Sequence, residues 1–89
     1  MSEVYQFSIE DFHNGTDKAK RHIIGQYATN LLILAATSIN NAGKAEIIVN
    51  DAYVEIFNHP DQFHSQSAIK EFLYNRVNEE CEKYNQSVV

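Results

Sequence analysis

The most apolar stretch of the chain, His22 through Ile39, constrains everything on either side of it. At 100° per residue, Ile23, Ile24, Tyr27, Ala28, Leu31, Leu32, Leu34, Ala35 and Ile39 form one broad arc, and Gln26, Asn30 and Thr37 share the remaining strip. The pattern predicts a buried helix. An arc this wide exceeds what a single contact needs. The helix is therefore expected to touch a sheet on one flank and a second helix, or another copy of the chain, on the other. Gly25, Gln26, Asn30 and Thr37 interrupt the stretch, which falls short of the roughly 20 largely apolar residues of a membrane span. It reads as a core helix and not as an anchor.

Turn chemistry sets the limits of this helix. Asn14-Gly15 is a strong turn pair, Thr16 supplies an N-cap, and Asp17 places a negative charge in the first turn. Asn40-Asn41-Ala42-Gly43 ends it, because Asn and Gly tolerate the left-handed conformation of a C-cap. The helix is expected over about 17–41.

Upstream, Tyr5, Phe7 and Ile9 alternate with Gln6 and Ser8, the period of a half-buried strand over about 4–9. A competing signal is a helix start at Ser8, where Ser-Ile-Glu-Asp resembles a capping box and could run only to Phe12. Downstream, Ala45-Glu46-Ile47-Ile48-Val49 and Ala52-Tyr53-Val54-Glu55-Ile56-Phe57 flank Asn50-Asp51 and read as a β-hairpin over about 45–57. Its strand parity puts Ala45, Ile47, Val49, Val54 and Ile56 on one face and Glu46, Ile48, Tyr53, Glu55 and Phe57 on the other. Asn58-His59-Pro60-Asp61 breaks the strand, and Ser65 caps a last helix over about 66–84 with Ile69, Phe72, Leu73, Val77, Cys81 and Tyr84 inward. On its exposed side Arg76 and Glu80, and Glu79 and Lys83, stand four apart and can pair. Residues 85–89 read as a tail.

The expected fold is α+β in the order β-α-β-β-α, with an antiparallel sheet of the N-terminal strand and the hairpin and two helices on one face. At 89 residues the chain is one domain, burying about 60–65% of its unfolded surface. Twelve acidic against seven basic side chains give a net charge of −5, which disfavours direct binding to nucleic acid or an anionic membrane and attracts a basic partner. The single cysteine, Cys81, forms no internal disulfide, and the N-terminal stretch has no signal-peptide apolar region. A reducing, cytoplasmic setting is expected.

No motif is diagnostic of a function. The outer hairpin face, Glu46, Ile48, Tyr53, Glu55 and Phe57, is the first candidate, because aromatic anchors among carboxylates suit a protein interface. The second is Thr16, Lys18, Lys20 and Arg21 at the start of the long helix, where backbone N–H groups and basic side chains could hold a phosphorylated or nucleotide-like anion. His59, Asp61 and His64, like Asp11 and His13, are metal-ligand types, but their spacing matches no zinc pattern and no metal or cofactor is expected. Cys81 lies on an inner helical stripe, where a small buried hydrophobe is expected, and no nucleophile or acid–base constellation is present.

These observations lead to a non-enzymatic protein-binding module, an inhibitor or neutralising partner engaging a basic surface of another, nucleic-acid-handling protein. The anion binder is the alternative. Ile33 intrudes on the polar strip of the long helix, so a homodimer through that helix is also expected.

Overall fold

A computed structural model describes residues 5–87. Its elements are α1 (Ile9–His13), α2 (Asp17–Ile39), α3 (Ala42–Asn58), a 3-10 turn at Pro60–Gln62, and α4 (Gln66–Ser87). Among the described residues there is no strand, so the α+β expectation is overturned: the fold is all-helical.

The long helix forms as its caps require. Thr16 Oγ1 accepts the Ala19 amide at 3.3 Å, and the preceding turn places Gly15 at φ 70°, a conformation that suits a residue without a Cβ. Asn40 ends α2 in the left-handed region at φ 53° and ψ 42°, its amide bonding to the Ala36 carbonyl. Asn41 then caps α3, its Oδ1 accepting the Lys44 amide at 3.1 Å. The two asparagines are the whole connection, so α3 folds back against α2.

The hairpin expected at 45–57 is the main correction. The segment lies within α3, and Ala45, Ile48, Val49, Ala52, Tyr53 and Ile56, spaced by three and four, are its buried residues. Ile48 and Tyr53, assigned to an outward strand face, are 4% and 5% exposed, while Ile47 and Val54, assigned inward, are 52% and 55% exposed. Asn50-Asp51 contains no residue of positive φ and continues the helix. Ile and Val disfavour a helix by only a few tenths of a kcal/mol each, and burying a face against α2 outweighs that.

The N-terminal strand is corrected too. Val4 lies outside the described residues, Tyr5–Phe7 have no regular structure, and Ser8 caps α1 by accepting the Asp11 amide at 3.0 Å. The competing helix start at Ser8 is the one observed. Phe12, 2% exposed, anchors this short helix among Phe7, Phe57 and Phe63.

Ser65 Oγ accepts the Ala68 amide at 3.1 Å and starts α4, which buries Ile69, Leu73, Val77 and Cys81 and leaves Phe72 and Tyr84 half-buried. Asn85–Ser87, expected as tail, continue the helix, and Val88–Val89 lie outside the described residues. Arg76 pairs with Glu55 of α3 at 3.0 Å and approaches Glu79 at 3.8 Å, while Lys83 pairs with Glu80 at 3.3 Å, so neither expected four-apart pair forms.

Long-range hydrogen bonds fix the topology. Tyr53 of α3 reaches Ile23 and Ile24 near the start of α2, which makes α2 and α3 antiparallel. Gln66 bonds to Tyr27 and Asn85 to the Ser38 carbonyl, so α4 runs in the direction of α2. The result is an up-down-up arrangement of three helices packed on one another, with α1 and the 3-10 turn closing one end. No helix among the described residues is long and apolar enough to cross a membrane.

Candidate functional site

A concave surface lies where α2 packs against α3, and two parallel rows on α2 define its α2 side. Ala19, Ile23, Tyr27, Leu31, Ala35 and Ile39 repeat every four residues and are buried. Lys20, Ile24, Ala28 and Leu32, each one residue further on, form the adjoining row at the border with solvent. Facing it from α3 are Glu46, Asn50, Val54 and Phe57. Between the rows runs an open groove of about 590 Å³ whose floor is Val49 and Tyr53. Ile24, 42% exposed, and Val54, 55% exposed, stand on opposite rims. Ile47 lies seven residues before Val54 and therefore on the same line of α3, extending that rim.

The groove is apolar along its floor, carries Asn50 on its α3 side, and has a charged side chain at each end. Glu46 marks the end beside Leu32. At the other end Lys20 Nζ lies 5.7 Å from the centroid of the Phe57 ring, within cation–π range. Among the described residues neither Lys20 nor Glu46 is in an ion pair. From Glu46 to Phe57 is about 16 Å along the helix axis, three turns.

Of the five residues expected on one outward face, the structure brings only Glu46, Tyr53 and Phe57 to this groove, and Tyr53 only as floor. The Tyr53 ring stacks on Phe57 with centroids 6.0 Å apart, and burial pushes its phenol up to about 12. Ile48 is in the core. Glu55 turns toward α4, where it accepts from Arg76 Nη2 at 3.1 Å, and the same guanidinium lies 5.3 Å from the Phe72 ring.

The anion-site residues do not converge. Thr16 Oγ1 is held by the Ala19 amide, Lys20 leans on Phe57, and Lys18 and Arg21 are exposed. Of the histidines, His13 Nε2–H donates to the Phe63 carbonyl, and the His13 and His64 rings lie 6.0 Å apart, edge to face. No group of three or more metal-ligating side chains is gathered among the described residues. Cys81 is 3% exposed, and burial, with Glu80 nearby, raises its thiol pKa.

Sequence reasoning missed Asn50 and Val54 as surface residues of the site and counted Ile24, Ala28 and Leu32 as part of one buried arc. The signal was present in the spacing: a row of four-residue steps headed by Lys20, a charged residue that marks that row as a border. Comparison with protein-family models, curated proteins and solved structures gave no match.

Proposed function

We propose that this chain is a non-enzymatic protein-association module whose α2–α3 groove takes an apolar helix face of another polypeptide. The observation that carries the reading is the groove itself: three helical turns long, floored by Val49 and Tyr53, with Ile24 and Val54 left bare on its rims. Helix-in-groove recognition uses this geometry, with side chains of an incoming helix at i, i+3 or i+4, and i+7 filling an apolar trough. The narrower role of inhibitor or neutralising partner for a basic, nucleic-acid-handling protein has the net charge of −5 in its favour. The oppositely charged groove ends lend it no support. A reducing, cytoplasmic setting accords with a lone buried thiol.

Selection of peptides from a random display library on the immobilised chain tests this reading. The expected peptides converge on an amphipathic helical pattern, bind the Ile33→Glu variant unchanged, and lose binding to Val54→Glu. Ile33 is a suitable control because it is 61% exposed and does not line the groove. Absence of convergence, or equal binding to both variants, overturns the proposal.

A further inference from the structure

We propose that Asn14 is a site of spontaneous self-modification, in which the Gly15 nitrogen displaces the Asn14 side-chain amide, and that the turn ending α1 restrains the reaction in the folded chain. Asn14-Gly15 is the only Asn-Gly pair in the sequence. Such a pair carries its own chemistry. The Gly15 nitrogen attacks the side-chain carbonyl carbon of Asn14, and the new carbon–nitrogen bond closes a five-membered imide. The bond to the side-chain nitrogen breaks, and the Gly15 amide proton leaves with that nitrogen as ammonia. Water then opens the imide. Opening at the side-chain carbonyl leaves aspartate, whereas opening at the backbone carbonyl leaves isoaspartate, whose main chain runs through the side-chain carbons. Glycine favours the closure because it has no Cβ to crowd the attacking nitrogen.

Both residues are exposed, and a Cβ built at Gly15 would meet nothing within 4 Å, so no packed side chain shields the pair. Backbone geometry restrains it instead. At φ −78° and ψ −7°, Asn14 turns the Gly15 nitrogen away from its own side chain. The Gly15 amide donates to the Phe12 carbonyl at 3.1 Å, and the Thr16 amide donates to the Asp11 carbonyl at 3.2 Å. Rotating Asn14 toward ring closure breaks both bonds, which satisfy carbonyls at the end of α1. The reaction therefore draws on the fraction of chains in which this turn is open. Only five residues form α1, held at its start by the Ser8 cap and at its centre by Phe12 against Phe57 and Phe63. Isoaspartate places an extra methylene between the Phe12 anchor and the Thr16 cap of α2, so the product loses the register of the two turn bonds. The change is one-way and loosens the α1 end of the bundle.

Timed incubation of the full chain at mildly alkaline pH, with and without urea, tests this by mass spectrometry of the tryptic peptide ending at Lys18. In urea the amide-to-acid exchange is expected at Asn14 before any other asparagine. Without urea the rate at Asn14 is expected to fall roughly tenfold or more. Ser8→Ala removes the α1 cap and should raise the native rate about fivefold while leaving the rate in urea unchanged. Far-UV circular dichroism verifies that this variant keeps its long helices. The isoaspartyl form, separated by ion exchange, should melt below the unmodified chain. Earlier exchange at another asparagine in urea overturns the site. Equal rates with and without urea, or a native rate indifferent to Ser8→Ala in a folded chain, overturn the restraint by the turn. An unchanged melting temperature of the isoaspartyl form overturns the loosening.

Discussion

The hydroxyl of Tyr53 lies 3.4 Å from both the Ile23 and the Ile24 carbonyl oxygens, so the side chain of α3 that forms the groove floor also ties it to the first half of α2. These oxygens are mid-helix acceptors, and a carbonyl has a second lone pair to offer. At 3.4 Å the bonds are long, and the packing of the ring carries most of the stabilisation. Tyr53→Phe should cost under about 1 kcal/mol, whereas Tyr53→Ala, which empties a buried aromatic site, should cost about 3–5 kcal/mol. Urea denaturation of the two variants at neutral pH measures the difference.

The same burial sets a pH dependence. Desolvation raises the Tyr53 phenol from 10.0 to about 12, with Tyr27 and Tyr74 adding smaller contributions in the same direction. A phenol raised by folding contributes stability that is fully present below its unfolded value and is lost as the pH rises through the folded one. Stability should therefore fall between about pH 10 and pH 12 more steeply in the wild type than in Tyr53→Phe. Denaturation midpoints across that range, alongside tyrosinate absorbance at fixed pH, check it.

Asn40 is the only non-glycine residue of positive φ among the described residues, and it makes the tight return from α2 to α3. Asn40→Gly should leave stability unchanged or slightly raised, since glycine adopts this conformation without a Cβ clash. Asn40→Val should cost about 1–2 kcal/mol for forcing a branched side chain into the left-handed region. Thermal melts of the two variants should move apart in that order.

Cys81 packs in the core with its thiol raised by burial and by Glu80. In native buffer it should react with a thiol reagent far more slowly than a free thiol, and addition of urea should bring the rate to that of an unfolded chain. Rapid labelling of the native protein would place the α4 stripe at the surface.

Much of the framework was legible before any coordinates. Thr16, Asn40 and Ser65 carry their roles in their chemistry, and α2 and α4 follow from long apolar periods between such caps. The segment 45–57 was misread because its branched residues suit a strand and Asn50-Asp51 suits a turn. Both preferences are weak. The series 45, 48, 49, 52, 53, 56 satisfies a helical period throughout, and tertiary packing against α2 selects it. The first residues misled for a similar reason: a stretch from Tyr5 to Ile9 alternates over too few positions to outweigh the Ser8 cap. The groove was not legible, because it arises between two helices and one of them had been taken for a ribbon. Glu46 and Phe57 were nonetheless singled out, on the chemistry of exposed aromatic and acidic side chains.

Every functional statement depends on residues 42–58 forming one helix that turns Tyr53 inward and leaves Val54 on the rim. Backbone resonance assignment measures this directly through the Cα secondary shifts of that segment. An unbroken run of helical shifts through Asn50 and Asp51, with amides protected on the Tyr53 side, is the predicted result. Strand-type shifts on both sides of Asn50-Asp51, with contacts between the two arms, would contradict the helix and remove the groove with it.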